Sequence, residues 1–483
     1  MVSGRALMMQ RSARDRWSID TTHDHLGAVK GSGTLFRGLS IMYLAFAVLG
    51  PWINFGTVRG IRPEEIILAM LLIVYLVETH FEFRLSPSIR LVLIGLCAVA
   101  ASICLSLLAN IPRSGGGPVA RDTLELVRVV KYAAAMVLAG YDTATAAACR
   151  KWFVALIVVA AALAFVQVMA PSAWVFRTMS AIDPSSAKFY ASQNIAAGLR
   201  RVTGSFGNPN NFGVFLSASA GLLFGLLASS ENRVRGWLLG IVLVAVCAAV
   251  VATQSFTDLA ALAIVLVVGF LATLILPRYR RRALALFVVV AIIAVGLAGI
   301  LGVFGHSSFV IGKRLTDARY ALDTMNGRFK VWNSVAMSMA DDPAMLALGM
   351  GPQKESETHV VGGDIDSDYV TILKRYGLIG FFCFGLFLIL LVTGLVLPSA
   401  GSHTLQGWRF GALLMVLAVL VCDLTNVVYV NNQLMDVFMF VLGTILIDNR
   451  NPEERTSGFR NAASGAVGAG SDRVRPARTA GRR

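Results

Sequence analysis

The chain has 483 residues, of which 56% are hydrophobic and only 15% are charged. Soluble globular proteins carry about 25% charged residues, so this composition excludes a soluble enzyme, a disordered protein and a simple nucleic-acid-binding protein. The net charge is +15, but the excess Lys and Arg lie in tails and short loops, where basic residues set membrane topology. The six cysteines form no metal-type cluster, so we expect neither a disulfide framework nor a metal site.

Apolar runs long enough to cross a bilayer recur along the chain. A transmembrane helix needs about 20 apolar residues, and these runs predict an all-α, polytopic membrane protein with about 12 transmembrane helices. Pro51 is placed to break the first run, and the last run is short. The runs are 38–56, 65–80, 91–111, 122–141, 152–170, 211–229, 236–253, 257–276, 283–304, 377–397, 409–427 and 432–447.

The positions of Lys and Arg predict the orientation. Basic residues are concentrated in 1–37, in 278–282 and in 448–483, and the alternation of spans puts all three on one side. By the positive-inside rule this side is the cytoplasm. We therefore expect a basic N-terminal tail over 1–37, a transmembrane domain over 38–447 and a disordered basic tail over 448–483 that touches anionic lipid.

Two long loops, 171–210 and 305–376, leave the membrane on the opposite side. They predict a multi-pass protein of the bacterial inner membrane, with both termini in the cytoplasm and both long loops in the periplasm. Apolar residues at helical spacing over 322–340 predict a helix on the membrane surface within the second loop. The two loops are not copies of each other, which disfavours a transporter built from inverted repeats.

Inside the fourth run the charged residues Glu125, Arg128 and Lys131 follow one another at intervals of three. This spacing puts them on one broad helix face, in the outer half of the span. Charged residues at membrane depth normally face a cavity or a partner. They indicate either an outward-facing cavity for an anionic group or a Glu125–Arg128 pair that neutralises itself. Asp258 and Asp423 lie at the same depth, and hydrogen bonds between helices would equally explain them.

The sequence before the sixth run has the features of an anion-binding helix start. Glycines and the turn at Asn208 and Asn210 expose backbone N–H groups at a helix N-terminus, which attracts anions. Arg200 and Arg201 add donors that match phosphate oxygens. The alternative is an ordinary loop with an asparagine cap.

The second outer loop has a basic half followed by an acidic half. Its basic residues include Arg314, Arg319 and Arg328, and we expect Arg328 to reach the cavity from the start of the surface helix. His359 lies among the acidic residues. For each of these side chains the alternative is a solvated loop residue.

Short motifs in these regions occur in an order and spacing found in a known family. Arg201-Val-Thr-Gly-Ser-Phe-Gly-Asn-Pro-Asn precedes the sixth run, Gly327-Arg328 stands before Trp332, and Leu348-Gly349-Met350-Gly351 follows. Asp366-Ser367-Asp368-Tyr369 is followed by an expected helix start at Gly377-Leu378-Ile379-Gly380. Together, over roughly residues 120–400, they resemble the O-antigen ligase and polysaccharide polymerase superfamily of membrane glycosyltransferases, and the exopolysaccharide polymerases in particular.

The resemblance implies a glycosyltransferase that acts at the outer face of the membrane without a metal or another cofactor. Its donor is a glycan on undecaprenyl diphosphate, and an acceptor hydroxyl attacks the anomeric carbon with inversion. Arg201 and Arg328 match family arginines and would stabilise the charge on the leaving diphosphate. Expected partners are the lipid-linked glycan, membrane lipid, a chain-length regulator and a flippase, and no nucleic acid.

Two positions depart from the family pattern. Asp366 stands where ligases typically carry a histidine, and its carboxylate could serve as the general base that activates the acceptor; His359 is the reserve candidate. Phe256 stands where many relatives carry an arginine, so Arg128 or Lys131 could supply the missing cation.

These features favour a polymerase of lipid-linked repeat units in exopolysaccharide, capsule or O-antigen synthesis. One alternative is an O-antigen ligase that moves finished glycan to a lipid A core or a protein. Another is a transporter of lipid-linked oligosaccharide, which the clustering of intramembrane charges in the outer half of the membrane disfavours.

Overall fold

The computed structural model describes most of the membrane-embedded chain. Statements about structure below concern these residues. The described ranges are 32–50, 53–55, 58–80, 85–111, 120–170, 172–182, 201–280, 288–293, 295–296, 318–351, 366–397, 403–429 and 431–447.

Helices make up nearly all of these residues. In chain order they are α1 (Ser32–Leu49), α2 (Pro63–Thr79), α3 (Pro87–Asn110), α4 (Ala120–Ala139), α5 (Thr143–Met169), α6 (Ser172–Ile182), α7 (Pro209–Ser229), α8 (Arg233–Thr253), α9 (Phe256–Ile275), α10 (Pro277–Arg280), α11 (Ala318–Ala340), α12 (Pro343–Leu348), α13 (Asp368–Val396), α14 (His403–Cys422) and α15 (Asn432–Leu446). A hairpin of strands β1 (Ile53–Phe55) and β2 (Val58–Ile61) connects α1 to α2.

Seven of the described helices are long and apolar enough to cross a membrane: α3, α5, α7, α8, α9, α13 and α14. Helices α1 and α15 are apolar but shorter. The prediction of a mainly helical, multi-pass membrane protein is confirmed. The number of twelve spans stays a prediction, and most of the run 283–304 lies outside the described residues.

The first span is shorter than its apolar run. Helix α1 ends at Leu49 rather than near residue 56, and the β1–β2 hairpin follows. Pro51 explains the early end, because proline has no backbone N–H to continue the helix and disfavours helical geometry in the residue before it.

The boundaries of the long outer loops also differ from the prediction. Helix α6 occupies the start of the loop 171–210, and α11 contains the helix expected over 322–340. Helix α13 begins at Asp368, so the last residues of the loop 305–376 are helical. The expected helix start at Gly377 coincides with a kink in α13, after which the long apolar segment begins. In α11, Val335 and Met339 are buried whereas Phe329 is exposed, as befits a helix on the surface of the bundle.

Helix α7 forms the centre of the bundle. Its membrane-spanning segment is 94% buried, and it packs on α14 through two reciprocal Gly-x-x-x-Gly pairs. A side chain at Gly225 would stand 2.3 Å from the backbone of Gly411, and one at Gly221 would meet Leu414. Such small residues let helices approach closely in lipid, where apolar burial alone does not drive association.

Hydrogen bonds between helices lie at both ends of the bundle and identify which residues share an end. At one end, Ser86 Oγ donates to the carbonyl of Leu446 at 2.9 Å, and Arg150 donates to the carbonyl of Thr444. At the other, Asn110 Nδ2 donates to the carbonyl of Gly349 at 3.2 Å. The second end also holds the described parts of both long loops, as the alternation of spans predicts, and we call it the loop end.

Candidate functional site at the loop end

The described residues that connect α14 to α15, 423–429 and 431, link several elements of the loop end. Thr425 hydrogen-bonds with Thr257 at the start of α9. The backbone N–H of Tyr429 donates to Asp368 of α13, and its carbonyl accepts from Tyr132 of α4 at 3.0 Å. This connection therefore ties three helices that are far apart in sequence to one another, and the candidate residues lie around it.

Arg201 is held rigidly in a turn before α7. Its Nε donates to the carbonyl of Thr253 at 3.0 Å, and its Nη2 donates to Asn210 Oδ1 at 2.7 Å. Gln167 anchors the same turn, because its side-chain oxygen accepts from the N–H groups of Thr203 and Gly204 at 3.1 and 3.0 Å. The guanidinium is thus fixed at the junction of α7 and α8.

Asn208 has the role of an ordinary helix cap. Its Oδ1 accepts from the N–H of Asn210 at 2.8 Å, at the N-terminus of α7. Gly204 and Gly207 both have positive φ angles, as the tight turn requires. Arg200 lies outside the described residues.

Arg328 and Asp366 form an ion pair. Arg328 Nη2 lies 3.4 Å from Asp366 Oδ2, and the side chains are 21% and 51% exposed. Asp366 does not cap α13, because Ser367 occupies the N-cap position. The carboxylate is half-exposed beside Arg328, so the predicted base and a residue predicted to bind the diphosphate are neighbours.

Glu125 and Arg128 lie in a buried network rather than on the wall of an open cavity. The two oxygens of Glu125 pair with Arg128 of its own helix and, at 3.3 Å, with Arg375 of α13. Arg128 also donates to Asn432 of α15. Buried charges are tolerated when they are paired and hydrogen-bonded, so this network joins α4, α13 and α15.

Lys131 has partners on other helices. Its Nζ lies 2.8 Å from Asp436 Oδ2 of α15 and 3.3 Å from Glu65 Oε1 of α2. The ammonium group therefore sits between two carboxylates. That Arg128 and Lys131 bind a diphosphate stays a prediction.

A kink at Gly377 folds the first turns of α13 back over the bundle. Gly377 has φ 64° and ψ −165°, outside helical geometry. Tyr429 contacts both Asp368 and, at a ring-centroid distance of 5.1 Å, Phe384. In a straight helix these two residues would be about 24 Å apart, too far for one tyrosine to reach.

The Leu348–Gly351 motif supports this kink. The carbonyl groups of Lys374 and Arg375 accept from the N–H groups of Met350 at 2.7 Å and Gly351 at 3.1 Å. Ser106 of α3 also donates to the Arg375 carbonyl at 2.7 Å. The carbonyl groups that the kink leaves without helical partners therefore accept hydrogen bonds from other elements. The side chain of Arg375 points toward Glu125.

The structure does not describe the side chains of three further candidate residues. Arg314 and His359 lie outside the described residues, and Arg319 lies in α11 at a position where only the backbone is described. Among the described residues, no three His, Cys, Asp or Glu side chains are grouped to hold a metal ion.

One segment of the chain matches a known protein family. Residues 243–385, from within α8 to the middle of α13, match the O-antigen ligase family. No curated protein matches the chain. The family match, over less than a third of the chain, supports its resemblance to the O-antigen ligase and polysaccharide polymerase superfamily. The seven long apolar helices indicate a multi-pass membrane protein, and the matched segment is similar to a family of membrane glycosyltransferase-like enzymes.

The O-antigen ligase domain supplies only part of the loop end. Arg328, Asp366 and Arg375 lie within the matched residues, whereas Arg201 and Glu125 lie before them. The hydrogen bonds and ion pairs described above join the two groups, so the candidate site depends on helices on both sides of the matched segment.

Sequence reasoning missed Arg375 and Asp368. The sequence places both in the outer loop, because the apolar run begins only at Gly377. Asp368 and Asp423 are both buried, and the backbone N–H of Asp368 donates to the Asp423 carbonyl at 3.1 Å. Asn426 Nδ2 donates to Asp258 Oδ1 at 3.3 Å. Asp258 therefore hydrogen-bonds to another element of the bundle, as the sequence allowed.

Proposed function

We propose that the protein polymerises undecaprenyl-diphosphate-linked oligosaccharide repeat units at the periplasmic face of the bacterial inner membrane. The product would be an exopolysaccharide, a capsule or an O-antigen. The match to the O-antigen ligase family supports glycosyl transfer from a lipid-linked glycan. The observation that carries the proposal is the accessible Arg328–Asp366 pair within the O-antigen ligase domain.

The pair suggests how donor binding and base activation are coupled. The donor diphosphate binds Arg328 and displaces Asp366, whose carboxylate then accepts the proton of the acceptor hydroxyl. The hydroxyl oxygen forms a bond to the anomeric carbon as the bond from that carbon to the diphosphate oxygen breaks. Undecaprenyl diphosphate leaves with the electron pair, and Arg328 and Arg201 stabilise its charge.

A polymerase is favoured over a ligase by the carboxylate at position 366, where ligases typically carry a histidine. A transporter is disfavoured by the position of the charged residues. Glu125, Arg128 and Arg375 lie in one buried network at the loop end, whereas a transport path needs polar groups along the full depth of the membrane.

Reconstitution tests the proposed function. The purified protein in lipid nanodiscs would receive lipid-linked repeat units extracted from cells that lack its gene, with no nucleotide sugar. We expect a ladder of longer glycans on undecaprenyl diphosphate, with one free undecaprenyl diphosphate released per added unit. Single transfer to an added lipid A core would instead identify a ligase. In liposomes, movement of the donor between leaflets without release of undecaprenyl diphosphate would identify a transporter.

The proposed orientation has its own test. Alkaline phosphatase is active only outside the cytoplasm, so fusions after Ser185 and after Gln353 should be active, and a fusion after Arg280 should not. The basis is the concentration of Arg and Lys on the opposite side. Activity of the fusion after Arg280 would reverse the orientation and move the candidate site to the cytoplasm.

A further inference from the structure

A polar cavity of about 340 Å³ lies at the end of the bundle opposite the loop end. It is formed by the last turn of α7, the turn that leads into α8, and the first turn of α14, which contributes Thr404. Of the described residues that line it, only Leu226 is apolar. The cavity is within the size range of ligand-binding pockets, and its lining suits a polar ligand.

The cavity holds one side chain of each charge sign. Glu231 and Arg235 both line it, and both are exposed. Among the residues that the structure describes, neither side chain forms an ion pair or a hydrogen bond, with the other or with a third group. Two opposite charges that share a cavity without contacting each other are complementary to a ligand that carries both signs.

The uncharged groups around these two side chains complement the same kind of ligand. The hydroxyl groups of Ser229 and Ser230 each donate to a backbone carbonyl at 3.1 Å, so their oxygens have lone pairs left to accept. Asn232 Oδ1 accepts from two N–H groups in the first turn of α8, at 2.9 and 3.3 Å, which leaves its Nδ2 as a donor. Acceptors therefore adjoin Glu231 in the chain, and a donor adjoins Arg235.

The cavity lies above a lipid-facing stripe of α8, a helix long and apolar enough to cross the membrane. Arg235, Leu238 and Ile241 follow one another at intervals of three and so share one helix face. Leu238, Ile241 and the neighbouring Trp237 are exposed, and tryptophan is enriched where a membrane meets water. A lipid whose chains lie along Leu238 and Ile241 would have its head group at Arg235.

We propose that this cavity binds the head group of a zwitterionic phospholipid with a phosphate diester and a primary ammonium, as in phosphatidylethanolamine. Arg235 and Asn232 Nδ2 donate to the phosphate oxygens, and guanidinium groups match phosphate well. The ammonium donates to Glu231 and to the two serine oxygens. The head group thereby links the ends of α7, α8 and α14. This proposal does not depend on the proposed polymerase activity.

A lipid titration of the purified full-length protein tests the site. Delipidated protein in detergent receives phosphatidylethanolamine, phosphatidylglycerol or soluble phosphoethanolamine, and native mass spectrometry measures binding. We expect Arg235→Gln to weaken phosphatidylethanolamine binding about tenfold or more, the effect of losing a hydrogen bond to a charged group. Glu231→Gln should lose the preference for phosphatidylethanolamine over phosphatidylglycerol, which has no ammonium. The matched control is Arg90→Gln, which removes an exposed positive charge from the first turn of α3 at the same end and should bind like the wild type.

Hydrogen exchange provides a second readout. Phosphatidylethanolamine should slow amide exchange over residues 230–236 in the wild type and in Arg90→Gln, but not in Arg235→Gln. Equal affinity of Arg235→Gln and the wild type, an equal loss in Arg90→Gln, or a Glu231→Gln protein that keeps the lipid preference would overturn the proposal. Binding of soluble phosphoethanolamine as tight as that of the lipid would assign the cavity to a water-soluble phosphate ester and overturn the assignment to a lipid. Neither readout involves glycan extension, so a failure of the polymerase proposal leaves this result unchanged.

Discussion

Replacing Arg201 or Arg328 by Ala is expected to slow glycan extension by about 100-fold or more, the cost of losing a group that stabilises transition-state charge. Arg→Lys should also impair extension, because lysine lacks the planar fork that binds two phosphate oxygens at once. Arg201 is oriented by Thr253 and Asn210, so even a small change in the position of its charge matters. The measurement is the rate of undecaprenyl diphosphate release at equal protein levels.

Arg177→Ala is the matched control for this experiment. Arg177 lies exposed on α6, in the first outer loop, so its replacement removes a positive charge near the same membrane face without touching the proposed site. We expect a normal rate for this variant. If the Lys variants of Arg201 and Arg328 also extend glycan at the normal rate, the assignment of these two residues to the diphosphate is wrong.

Asp366→Asn is expected to stop polymer growth, with accumulation of lipid-linked single repeats. Asparagine keeps the size and the hydrogen-bonding shape of the side chain but cannot accept the proton of the acceptor hydroxyl. A capping role, which Ser367 at the N-cap position of α13 disfavours, would predict an active variant, because asparagine caps helices as well as aspartate does. Electrophoresis of the lipid-linked glycans from cells that carry the variant distinguishes these outcomes.

Two further variants make the result for Asp366 specific. Asp341→Asn removes an exposed carboxylate at the end of α11 and should leave polymer length unchanged. His359→Ala tests the reserve candidate. An inactive His359→Ala protein beside an active Asp366→Asn protein would transfer the role of the base to His359.

The apolar runs of the sequence were sufficient to predict the class of the fold, because a helix that crosses a bilayer must satisfy its own backbone and face lipid with apolar side chains. Local motifs also gave correct local structure. Asn208 caps α7, Pro51 ends the first span early, and the helical periodicity of 322–340 coincides with α11. Each of these features depends on residues close together in the chain.

The kink of α13 could not be predicted from the same information. Glycines are common in membrane helices, so Gly377 alone indicated only a helix start. The bend exists because Ser106, Met350 and Gly351 supply partners for the carbonyl groups that it exposes. Those partners come from other elements, and only their packing decides that the polar turn before Gly377 folds back instead of continuing outward.

Partner choice among the charged residues was likewise decided by tertiary structure alone. The sequence determined that Glu125, Arg128 and Lys131 share a helix face and need partners at membrane depth. It did not determine that Glu125 pairs with Arg375, 250 residues away, or that Lys131 pairs with Asp436. Any buried carboxylate at the same depth would satisfy the same electrostatic requirement, so the order in which the helices pack around α7 selects the pairs.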